Sequence, residues 1–81
     1  EKKTVKYHIP QHGIYMYART NSGKTELIVL NSTDAEQVVA NDHYRIMTND
    51  SKSGKELISG KKIDLTKNMT VGARQSLIIE L

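Results

Sequence analysis

Gly23-Lys24-Thr25, inside the stretch ARTNSGKT and after the run Ile14-Tyr15-Met16-Tyr17, carries the residue types of a phosphate-binding loop. Glycine frees backbone N–H groups for an anion, lysine adds charge and threonine a hydroxyl. Ala18 stands where the stricter pattern has its first glycine. Such a loop also needs a helix starting at Gly-Lys-Thr, because the free N–H groups at a helix N-terminus hold the phosphate. Thr25 to Asn31 is rich in β-branched and aliphatic residues without helical spacing, and Asn21-Ser22-Gly23 has the composition of a hairpin loop with glycine at positive φ. The spacing therefore predicts a strand, a tight turn and a second strand, and no nucleotide site.

Other groups that bear chemistry are equally unconcentrated. His8 and His12 are four apart, as in a helical metal pair, but Pro10 and Gly13 argue against the helix that would bring them together. Both are expected at the surface or in an interface, and His43 is isolated in sequence, so a three-histidine zinc site would need tertiary convergence that nothing in the sequence indicates. None of the nine carboxylates forms a recognisable acid/base pair. Asp34, Asp42 and Asp50 fall in turn-like contexts where their oxygens are expected to cap backbone N–H groups. Without cysteine there is no disulfide, thiolate nucleophile or cysteine-ligated zinc. No catalytic residue, metal ligand or cofactor is assigned. Asn31, Asn49 and Asn68 each open an Asn-x-Ser/Thr sequon that is a glycan acceptor in a secretory setting. Tyr15 and Tyr17 lie about 7 Å apart on one strand face and are the candidates for a domain interface or a sugar-stacking platform.

The elements that position these residues read as strands. The chain has 81 residues, 37% hydrophobic and 26% charged, as expected of a single folded domain with a modest core. It opens on Glu1 with no signal-like apolar stretch, as a processed product or a piece of a longer protein would. The longest apolar runs, such as Leu27 to Leu30, fall far short of the roughly twenty residues of a membrane-spanning helix, and no membrane partner is expected. The net charge of +3 comes from an N-terminal group, Lys2, Lys3 and Lys6, and from lysines scattered among turns, so no nucleic-acid partner is expected. Two-residue alternation and β-branched runs predict strands near Thr4–Ile9, Gly13–Arg19, Thr25–Asn31, Glu36–Val39, Tyr44–Thr48, Glu56–Ser59, Lys61–Asp64, Met69–Val71 and Ser76–Leu81. Ser-Gly-Lys recurs at Ser22, Ser53 and Ser59 as turn chemistry at unequal spacing. The second and third runs are apolar on both faces and are expected to pair as a central hairpin covered on both sides. In the last run, Leu77, Ile79 and Leu81 share a core face. The fold class expected is all-β: a small antiparallel β-sandwich, Greek-key-like, of about eight short strands.

From about Tyr7 to Leu81, HIPQHGIYMYART, ELIVLNST and ELISGKKIDLTKNMTVGARQSLIIEL resemble the C-terminal domain of bacterial cyclomaltodextrinases and neopullulanases, members of the α-amylase superfamily. The most specific parts are Gly13 to Tyr17 with Arg19, the Ser59-Gly60-Lys61 turn leading to Ile63-Asp64-Leu65, and Leu77 to Leu81. Ala18 departs from a frequent aromatic, and Val71-Gly72-Ala73 from a commoner Leu-Pro-Ala. The resemblance implies that residues 1–81 form one non-catalytic module, packed on and stabilising the barrel of the same polypeptide, which holds the carboxylates that cleave α-glucosidic bonds. It implies a bacterial source, with relatives in periplasm and cytoplasm alike. The alternative is an autonomous α-glucan-binding module working through exposed Tyr15 and Tyr17, with weak glucan binding as its mark. Open tyrosines beside polar donors would favour it, and buried tyrosines would exclude it.

Overall fold

The computed structural model describes residues 4–21, 23–48 and 51–81. Strands β1 (Thr4–Gln11), β2 (Ile14–Asn21) and β3 (Lys24–Asn31) form two successive hairpins. β4 (Gln37–Val39) follows, then the one-turn helix α1 (Asn41–Tyr44), which runs into a 3₁₀ turn at Arg45–Met47. The chain closes with β5 (Ser53–Glu56), β6 (Lys62–Asp64), β7 (Met69–Val71) and β8 (Ser76–Glu80). Six strands make an antiparallel sheet in the order β1-β2-β3-β8-β5-β6, and β4 pairs with β7 in a second, two-stranded sheet. This is the expected small all-β sandwich.

The alternation of the large sheet decides where the core lies. Ile14, Met16 and Ala18 of β2, Leu27 and Val29 of β3, and Leu77 and Ile79 of β8 are buried on its inner face. Val39, Met69, Val71, Tyr44, Met47 and Leu65 complete the same cluster. Leu81 packs against it, as the Leu-x-Ile-x-Leu pattern requires. Pro10, which has no N–H to donate, falls on the edge strand β1 at a register shift between His8 and Gln11.

Several expectations need correction. The expected strand Tyr44–Thr48 is instead helical through Met47, with Thr48 closing the 3₁₀ turn, because the buried residues are Tyr44, Met47 and Thr48 while Ile46 is exposed. That spacing of three and four is a helix signal, whereas alternation would have buried Ile46. The strand expected at Glu56–Ser59 ends at Glu56, whose carboxylate accepts the N–H groups of Ile58 and Ser59 and turns the chain. Gly13 lies in the β1–β2 turn at φ +82 rather than in β2. β2 and β3 do pair as a hairpin, but the outer side of that hairpin is open among the described residues.

Candidate interaction surface

In an antiparallel sheet, residues directly opposite one another share a face, so the register reads out the open surface row by row. Tyr7 opposes Tyr17, Tyr17 opposes Ile28, and Ile28 opposes Ile78, giving an apolar ridge across four neighbouring strands. The Tyr7 and Tyr17 ring centroids are 5.2 Å apart at 42°, within the range of favourable aromatic pairs. Beside this ridge, Tyr15 opposes Leu30, and Ile9 completes the second apolar row. Of these, Tyr7, Ile9, Tyr15, Tyr17, Ile28 and Leu30 line a shallow groove of about 300 Å³. Tyr7 is 78% exposed and Tyr15 47%, while Tyr17 is half-buried between its neighbours. The structure thus brings Tyr15 and Tyr17 together on one open face.

On the other side of the ridge the rows turn charged. Arg19 opposes Glu26, Glu26 opposes Glu80, and Glu80 opposes Lys55. Arg19 donates to Glu26 at 2.9 Å, and the like-charged pair Glu26 and Glu80 is flanked by a cation on either side. Polar partners are scarce in the groove itself. Apart from the tyrosines, the polar residue bordering it is His8, whose ring lies on the inner face opposite Met16, with its Nε2 2.7 Å from the His43 carbonyl oxygen, and fastens β1 to α1. The tyrosines are open, but no set of fixed donors and acceptors surrounds them.

The remaining chemistry-bearing residues serve the fold. Gly23, at φ +77, turns the β2–β3 hairpin, Lys24 begins β3, and the Thr25 hydroxyl pairs with that of Thr20 at 2.8 Å. No helix follows the Gly-Lys-Thr. His12 is exposed in the β1–β2 turn, away from the His8–His43 contact. Among the described residues, no three His, Cys, Asp or Glu side chains gather as a metal site. The side chains of Lys2, Lys3 and Lys6, with Asn49 and Asp50, lie outside the described residues. Asp34 and Asp42 face Arg74 at 2.7 Å and Arg45 at 3.7 Å instead of capping turns. Asp64 caps, accepting the Thr66 N–H and hydroxyl, and this holds its carboxyl below the usual range. Of the sequons, Asn68 is exposed, whereas Asn31 is buried with its amide hydrogen-bonded to Ala35, Val71 and Gly72 carbonyls, leaving no free acceptor nitrogen in the folded chain.

Sequence reasoning missed Tyr7, Ile9 and Leu30. A signal for Tyr7 was present: a tight turn at His12-Gly13 folds it back against Tyr17. Tyr44 was also misplaced. Its hydroxyl donates to the Lys67 carbonyl, and burial first, with the Asp64 charge, pushes it up from its ordinary value.

The pattern of the Cyclo-malto-dextrinase C-terminal domain matches residues 5–80. Among solved structures, part of the β-galactosidase from Bacillus circulans sp. alkalophilus is similar in fold, with a TM-score of 0.65 and 24% identity over 84% of this chain. The chain spans 9% of that protein's length.

Proposed function

Since the chain belongs to the family of cyclo-malto-dextrinase C-terminal domains, we propose that it is the non-catalytic C-terminal module of a larger α-amylase-superfamily glycoside hydrolase. That enzyme hydrolyses α-glucosidic bonds in cyclomaltodextrins, pullulan or starch oligosaccharides. The module packs on the catalytic barrel through the outer face of its six-stranded sheet and stabilises it. The observation that carries this reading is the open apolar surface around Tyr7, Tyr15, Tyr17, Ile28 and Leu30, bordered by a charged row. An apolar sheet face in water is unfavourable and calls for a covering layer. An apolar centre with a polar rim is also the usual anatomy of a specific interface. From β1 to β5 the face is about 19 Å wide, and its three rows span about 14 Å along the strands. Covering it removes on the order of 500–600 Å² counting both partners, near the lower end of typical interdomain contacts.

Calorimetry of the full-length enzyme tests this. A docked module melts together with the barrel, and Tyr15→Asp with Tyr17→Asp is expected to split or lower that transition. An unchanged transition would overturn the reading. The exposure of Tyr7 and Tyr15 also favours a second reading, an α-glucan-binding platform. Against it stands the shortage of polar partners, since sugar recognition requires hydrogen bonds to hydroxyls beside the stacking ring. Titration with maltoheptaose and β-cyclodextrin, followed by tyrosine and amide NMR signals, separates the two. Localised, saturable shifts would support sugar binding, and none at millimolar ligand is expected of the docked module.

A further inference from the structure

We draw no further inference here: the strongest candidate, the cleft of about 470 Å³ between β6, β7 and β8 that is lined by Ile58, Ile63, Met69 and Leu77 beside Lys61 and Lys62, carries nothing, because nothing in the structure shows what covers it.

Discussion

Asn31 and Glu56 show how single polar residues hold a small core together. Asn31 is buried at the end of β3, where its amide reaches the carbonyls of Ala35, Val71 and Gly72 while its oxygen accepts the N–H and hydroxyl of Thr33. Asn31→Ala would orphan several of these groups at once, each at about 1–3 kcal/mol if it stays dry. With partial relief by water, a loss of about 3 kcal/mol is expected in urea denaturation. Glu56 makes a pH prediction. Its carboxyl is lowered to about 2, chiefly by the Ile78 N–H, against the opposing effect of burial. A depressed carboxyl contributes stability above its unfolded value near 4.5, and the contribution is lost as pH falls toward about 2. Glu56→Gln should therefore be less stable than the parent at neutral pH, with the difference shrinking over that window, as thermal melts at stepped pH would record.

At the scale of elements, the turns carry the sharpest expectations. Gly13 and Gly23 both have positive φ, but a Cβ at Gly13 would lie 2.4 Å from the Thr33 side chain, whereas one at Gly23 meets nothing within 4 Å. Gly23→Ala should cost about 1 kcal/mol for backbone strain alone, and Gly13→Ala about 1–2 kcal/mol more for displacing the Thr33 loop. Paired denaturant titrations would show that order. Most strands were legible because two-residue alternation places a residue on a face without reference to the rest of the chain. The helix after Ala40 was not legible. Tyr44 to Thr48 contains β-formers, but the register of burial, with Ile46 exposed, depends on the layer that packs over it. The end of β5 failed differently. Leu57-Ile58 reads as a strand by composition, and the Glu56 carboxylate diverts it into a turn by a contact that local propensity does not describe.

For the whole molecule, the outer face of the large sheet is the place where folding and the proposed docking can be told apart. Tyr15 is half-exposed and makes no part of the buried cluster. Tyr15→Asp should leave the stability of the 81-residue chain within about 0.5 kcal/mol, the usual range for a surface change. Under the docking proposed above, its effect is expected only in the full-length enzyme, and that difference separates a docking residue from a core residue. Because the charged row runs beside the apolar one, docking should weaken only modestly with salt, as rim charges steer more than they bind.

Alternation, turn residues and the apolar runs, read from the sequence by themselves, determined the all-β class, the pairing of β2 with β3 and the inward face of β8. Each of these is a local consequence of strand period and glycine geometry. Only the tertiary structure decided which apolar face is core and which is open. β2 and β3 are apolar on both sides, and the choice between them follows from where the second layer lies: β4, β7 and α1 cover Ile14, Met16 and Val29 and leave Tyr15, Tyr17 and Ile28 on the open face.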